Sequence, residues 1–204
     1  MIDATVSVNN LTIGNGGAAA ELRFSGNTAR SVTVANDVIL NTSATFSILS
    51  TSNTTHSLFI GGNLLNNGTF RMFQDNNSLC NVTFNKNGNQ TISGSGGLTR
   101  FNRIILNMGA TAANILEVSS TSFTTITNFL TLSNGTFKLS TPNAATVVPF
   151  TAATTVQATS GIWLNSPTAL MSFSAGLGLN GLLRVTSGYV DLGNANNEDL
   201  APNG

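Results

Sequence analysis

The stretch FLTLSNGTFKLS, residues 129–140, sets an Asn-Gly pair between two short runs of alternating apolar and polar residues. Taken alone, Asn134-Gly135 in that setting signals a hairpin, because a two-residue type I′ turn needs positive φ at both central positions. A near copy stands upstream in GNLLNNGTFRMF, residues 62–73, where Asn67-Gly68-Thr69-Phe70-Arg71-Met72 matches Asn134-Gly135-Thr136-Phe137-Lys138-Leu139. A looser echo, VTSGYVDL, lies at residues 185–192. Recurrence shifts the reading from a hairpin to the corner of a coil, with Gly135 supplying a positive-φ bend and Asn134 facing outward. Alternation then points Phe137 and Leu139 to one face and Thr136 and Lys138 to the other, as it does Phe70 with Met72 against Thr69 with Arg71. The Phe positions read as core, and the Lys and Arg as solvent-facing.

The rest of the chain has the same texture. Segments of three to five residues such as TVSV, LTI, LRF, VTV, TFSI, SLFI, VTF, RIIL, ILEV, TVVPF, IWL and LLRV are each fenced by Gly, Asn or Ser. Their centres recur about every ten residues, the spacing of an all-β sandwich, barrel or solenoid. No segment holds a capped apolar stripe of helical period. Because the segments are shorter than ordinary strands and persist at one pitch, the expected fold is all-β: a single-domain β-solenoid over residues 1–204, specifically a right-handed parallel β-helix. Its repeat-like region runs from about 5 to 193, with an irregular insertion at 140–150 (STPNAATVVPF) and a loop-like tail at 194–204. Turns of about 20 to 30 residues would give about seven to ten coils, each rising about 4.8 Å. The alternative is a jelly roll or other antiparallel β-sandwich, in which residues 129–133 would pair with 136–140 as a hairpin.

Composition narrows the function. Eight basic and eight acidic residues make the chain 8% charged, against about 25% in ordinary soluble domains, while Asn and Thr number 28 each. Zero net charge without a basic cluster removes the electrostatic term that nucleic-acid binding needs, and it offers nothing to an anionic membrane. No apolar run reaches the length of a membrane span, so membrane insertion is not expected. A surface of amides and hydroxyls protects poorly against association, which favours a protein that self-associates into a fibre or matrix, or that carries or binds carbohydrate. With only Cys80 there is no disulfide framework. MIDATVSVNNLTIG lacks the basic and apolar regions of a signal peptide, so the chain reads as a mature form or an excerpt of an extracellular protein.

Candidate chemistry is sparse. The acids Asp3, Glu21, Asp37, Asp75, Glu117, Asp191, Glu198 and Asp199 are scattered, whereas glycoside hydrolysis needs two carboxyls in close register; a cross-turn pairing such as Glu21 with Asp37 is the residual enzymatic option. The single His56 offers no transition-metal set and reads as an exposed or hydrogen-bonded strand-edge residue. Cys80 reads as a small buried hydrophobe, with His56 its only conceivable base. Trp163 reads as a core or end-cap residue rather than a sugar-stacking platform. IGNGG and SGSGG lack the Lys of a phosphate loop and read as turns. Thr125-Ile126-Thr127 is the clearest Thr-x-Thr pair, but none recurs at coil period, so an ice-binding face is not expected. No catalytic residue, cofactor or metal is expected. The triplets beginning at Asn10, Asn41, Asn53, Asn67, Asn76, Asn81, Asn89 and Asn134 are candidate glycosylation sites placed in or beside turns, though a chain this rich in Asn and Thr produces many such triplets by chance.

The phrases GGNLLNNGTF, VTFNKNGNQTISGSG, NILEVSSTSF, FLTLSNGTFKLS and GLLRVTSGYVDLG resemble the degenerate repeats of large secreted surface proteins of Bacteroidetes-type bacteria, commonly exported by the type IX system. The resemblance runs from about residue 5 to 193. It implies a β-solenoid and an extracellular or cell-surface location, and a structural role in an adhesin, matrix protein or filament. It brings no catalytic residues. The sorting domain of such clients is not in the chain, and no Asp is followed by the Ser or Thr used for O-glycosylation in that phylum. The rival function is a carbohydrate-binding or polysaccharide-cleaving β-helix.

Overall fold

A computed structural model describes residues 1–141 and 146–193. It contains 21 strands and no helix among the described residues, coiled as a parallel β-solenoid of about seven turns, consistent with the right-handed parallel β-helix expected. Three faces follow one another along the chain. Val6–Val8, Ser31–Val34, Thr55–Ile60, Leu79–Phe84 and Arg103–Asn107 stack on the first face. Leu11–Ile13, Val38–Leu40, Leu64–Asn66, Gln90–Ser93 and Ile115–Val118 form the second, and Ala20–Phe24, Ala44–Ile48, Thr69–Arg71, Leu98–Phe101 and Phe123–Thr125 the third. Pairing is parallel and in register: Val6 lies opposite Val32, and Val32 opposite Leu58.

The opening stretch is neither a hairpin nor a simple loop. Leu130–Leu139 is one strand. Leu130, Thr131 and Leu132 pair with the first face, opposite Ile104, Ile105 and Leu106, while Thr136 to Leu139 pair with the second, opposite Ile115 to Val118. Gly135, at φ +97°, is the bend that carries the strand from one face to the next, and its N–H donates to the Thr159 carbonyl of the following turn at 3.0 Å. The antiparallel sandwich is thereby excluded. The near copy behaves differently: Asn67-Gly68 turns the chain from the second face to the third, where a Cβ on Gly68 would collide with the Ala44 carbonyl. The two copies therefore occupy different corners, because the interval between them is not a whole number of these unequal turns.

Inside, the coil is filled by stacked rings. Phe24, Phe46, Phe70, Phe101 and Phe123 follow one another at centroid distances of 5.7, 5.9, 5.2 and 5.7 Å. The column continues through Phe129, Phe137, Phe150 and Phe173, the last pair stacked at 4.7 Å. Such ring pairs add about 0.5 to 1.5 kcal/mol each beyond their area. Phe59 and Phe73 are exceptions that face outward, half-buried. Polar groups at the buried corners are all partnered among the described residues: Asn66 donates to the Leu98 carbonyl at 2.8 Å and accepts from the Gly68 N–H at 3.1 Å.

After Phe123–Thr125 the ladders part. The second face runs on through Leu130–Leu139 into Ser160–Phe173 and Leu182–Asp191, but among the described residues no strand pairs with the far edge of Phe123–Thr125. Thr146–Phe150 instead pairs with the later part of Ser160–Phe173, so the irregular stretch expected at 140–150 ends in an ordinary strand. Residues 142–145 of that stretch, and the tail at 194–204, lie outside the described residues.

Truncating the column should be costly. Phe70→Ala is expected to lower stability by about 3 to 5 kcal/mol, and Gly68→Ala by about 1 to 3 kcal/mol through overpacking against Ala44, both read from chemical denaturation followed by circular dichroism. A loss below 1 kcal/mol for Phe70→Ala would contradict the stacked core.

Candidate functional site

The outer surface is built from ladders of side chains that meet across neighbouring turns. Asn102 donates to Asn81 at 2.8 Å, Asn114 to Asn87 at 3.1 Å and Asn134 to Asn107 at 3.1 Å. Asparagine thus joins coil to coil with neutral bonds in a chain where charged residues are few. On the second face one outward rank runs Glu117, Lys138, Trp163, Arg184, each opposite the next in register. Lys138 Nζ lies 2.8 Å from Glu117 and 4.3 Å from the centre of the Trp163 ring, while the Arg184 guanidinium lies 4.1 Å from the same ring. Burial pushes the Glu117 carboxyl up, but hydrogen bonds from Lys138 and Ser140 and the charge of Lys138 outweigh it and hold it below the usual range. Trp163 is neither core nor end cap. It faces outward, and with a cation from each adjacent turn laid against it, it lacks the open face a sugar platform needs.

The remaining acids are held apart by separate partners. Glu21 pairs with Arg23 at 3.6 Å, and Asp37 accepts the Asn63 N–H at 2.7 Å on a different corner. Asp75 accepts the N–H groups of Asn77 and Ser78 at 2.9 and 2.8 Å, which hold its carboxyl below the usual range. Asp191 accepts from Ser172 at 3.3 Å and from the Gly193 N–H at 2.9 Å, and Asp3 is exposed. Glu198 and Asp199 lie outside the described residues. No group of three or more His, Cys, Asp or Glu side chains is placed to hold a metal ion among the described residues.

His56 is fully buried, not at an exposed strand edge. Its ring stacks on Phe24 at 4.7 Å. Nδ1 accepts the Arg30 backbone N–H at 3.1 Å, which fixes the proton on Nε2, and Nε2–H donates to Ser52 Oγ at 2.6 Å. Ser52 in turn donates to the Gly26 carbonyl at 2.8 Å. The Ser-His contact looks like a nucleophile pair but has the opposite polarity: a general base must accept the serine proton, and this nitrogen is already protonated. Cys80 lies opposite His56 in register but is wholly buried, and burial pushes its thiol well above the ordinary value. Burial of Cys80 matches the expectation from the sequence; that of His56 does not, since a lone histidine is received inside through the stacked Phe24 ring of the preceding turn.

The candidate glycosylation sites divide into two groups. Asn10, Asn53, Asn76 and Asn89 are exposed. Asn41 donates to the Gly14 carbonyl at 2.7 Å, Asn67 accepts the Ser95 N–H at 3.3 Å, and Asn81 and Asn134 belong to the amide ladders. Asn81 is also an exception to the expected turn placement, since it sits within the strand Leu79–Phe84. Thr136, the hydroxyl of the Asn134 triplet, is buried against the Ala112 carbonyl at 2.6 Å.

Among the described residues the large apolar side chains that are exposed rather than half-buried lie at the two ends of the coil: Met1 and Val6 at one, Leu182, Val185 and Tyr189 at the other. Among the described residues the strands there pair on one side only: Val6–Val8, Leu11–Ile13 and Ala20–Phe24 pair onward to the second turn, with a single further bridge from Ile2 to Phe24, and Leu182–Asp191 pairs with Ser160–Phe173 alone. No helix of the described residues is long and apolar enough to cross a membrane. No family model, curated protein or solved structure matches this chain.

The buried histidine predicts a pH dependence. Burial, and then the charge of Arg30, push its pKa down from 6.5, so below pH 6.5 the unfolded chain binds the proton more readily than the folded one. Stability is therefore full above that pH and declines as pH falls through the folded value. His56 is the only histidine, so His56→Gln, although destabilising at neutral pH, should flatten the dependence of melting temperature on pH between 7 and 5. An unchanged slope would refute the assignment.

Proposed function

We propose that this chain is a structural segment of an extracellular adhesin, matrix protein or filament, and that it works by continuing its parallel ladders into another coil of the same kind. The observation that carries this reading is that, among the described residues, the exposed large apolar side chains lie on the two end coils, next to strands with one unpaired edge. Along the first and second faces between those ends, the strands pair with both neighbouring turns. An unpaired parallel edge with apolar neighbours is a template for strand addition, and in a solenoid the added unit extends one continuous core. The scattered, separately engaged acids give no support to a polysaccharide-cleaving role.

Electron microscopy and sedimentation velocity test the reading. The chain is expected to form end-to-end rods in a concentration-dependent manner, and Leu182→Lys combined with Val185→Lys should leave monomers whose circular dichroism is unchanged. Monomers at all concentrations in the unsubstituted protein, with both end coils covered by non-repeat structure, would reject it.

A further inference from the structure

Where the third-face ladder stops at Phe123–Thr125, an open groove of about 590 Å³ forms on the outside of the coil, lined by Phe73, Asn76, Arg100, Thr125, Ile126, Thr127 and Pro149. One wall is a built hairpin that interrupts the coil: Phe73 bridges Leu79 in antiparallel fashion, the Gln74 N–H donates to the Ser78 carbonyl at 3.1 Å, and Asp75 locks the tip. The Thr-x-Thr stretch singled out in the sequence is the other wall. Arg100 stands between them, its guanidinium 4.6 Å from the centre of the Phe73 ring.

Two features of this arginine point to a ligand. The guanidinium that lies over the Phe73 ring carries five N–H donors, and its side chain donates no hydrogen bond and joins no ion pair among the described residues; the ion pairs there are Arg23 with Glu21 and Lys138 with Glu117. In addition, the next rung of the same rank is another cation. Arg71 lies opposite Arg100 in register on the neighbouring strand, one strand spacing of about 4.8 Å away, and is tied to Gln74 Oε1 at 3.2 Å rather than to a carboxylate. The nearest acid in sequence, Asp75, has Oδ1 committed to the Asn77 and Ser78 amides. In a chain with eight cations, two are thus stacked side by side without compensation and held in place by one loop.

The geometry points to a binding site for an acidic sugar chain, with a carboxylate or sulfate on Arg100, Arg71 raising the local potential, sugar hydroxyls meeting Asn76, Thr125 and Thr127, and apolar sugar faces meeting Phe73, Ile126 and Pro149. A groove of mixed apolar walls and few convergent polar groups suits a sugar. The neutral surface around it does not suit a nucleic acid, whose binding requires a run of phosphate contacts.

Isothermal titration calorimetry with three probes of equal length tests this: a galacturonate hexasaccharide, a heparin hexasaccharide and a neutral glucan hexasaccharide. At least one acidic probe is expected to bind, more tightly at 20 than at 200 mM salt, while the glucan does not; which acidic probe binds assigns carboxylate or sulfate. Arg100→Gln should weaken binding about tenfold or more, the effect of one charge-assisted hydrogen bond, and Arg71→Gln by a smaller factor. Lys86→Gln, on an exposed turn between the first and second faces, should have no effect, and all three variants should keep the parent melting temperature. Absence of acidic binding, equal binding of the glucan, or an Arg100→Gln variant that binds like the parent would each overturn the proposal. None of these outcomes bears on end-to-end assembly, which is read separately by sedimentation.

Discussion

Everything in this molecule depends on the parallel, in-register pairing of one turn with the next. A short strand cannot satisfy its own N–H and C=O groups, and an isolated turn has no second layer to bury its apolar side. Stacking resolves both at once: each strand of three or four residues finds two neighbours, and the inward side chains of successive turns close over one another. The cost is positional. Every residue has a counterpart directly above and below, so like must tolerate like, and with few exceptions the chain answers with rings inside and neutral amides outside.

That constraint explains the composition. Stacked ranks of carboxylates or ammonium groups at strand spacing would repel, and like charges opposite one another destabilise a ladder. Asparagine carries both a donor and an acceptor, so it can bond to another asparagine without a partner of opposite sign. Where charge does occur in a rank, like charges are kept from direct contact, as where Lys138 pairs with Glu117 and Trp163 stands between Lys138 and Arg184. The stacked pair Arg71 and Arg100 departs from that practice.

Much of this architecture was legible in the residues. Alternation placed Phe70, Met72, Phe137 and Leu139 inside, and the Asn-Gly pair with its recurrence indicated a corner. Less legible were Val38–Leu40, Leu64–Asn66, Leu98–Phe101 and Leu177–Leu179, strands too short for alternation to declare itself and recognisable only because the strands above and below require them. The joining of two apparent strands into Leu130–Leu139 was equally hidden, since a glycine that ends one ladder and begins another reads locally as a break. Alternation with Leu58 and Ile60 turns His56 inward and alternation with Ile162 and Leu164 turns Trp163 outward, but the ring and the cations that receive them come from neighbouring turns, which no local pattern encodes. The same is true of the groove at Arg100, assembled from four turns.

The corner at Asn134-Gly135 also has a chemical history to consider. Asn-Gly is the pair most prone to spontaneous deamidation, in which the glycine nitrogen attacks the asparagine side chain to close a succinimide ring. Here that nitrogen is occupied, its hydrogen directed to the Thr159 carbonyl, and the side chain it would attack is turned toward Asn107. Closing the ring would mean giving up both inter-turn bonds, so the fold that uses the sequence as a bend also shields it from ageing, and a long-lived coil keeps its corner.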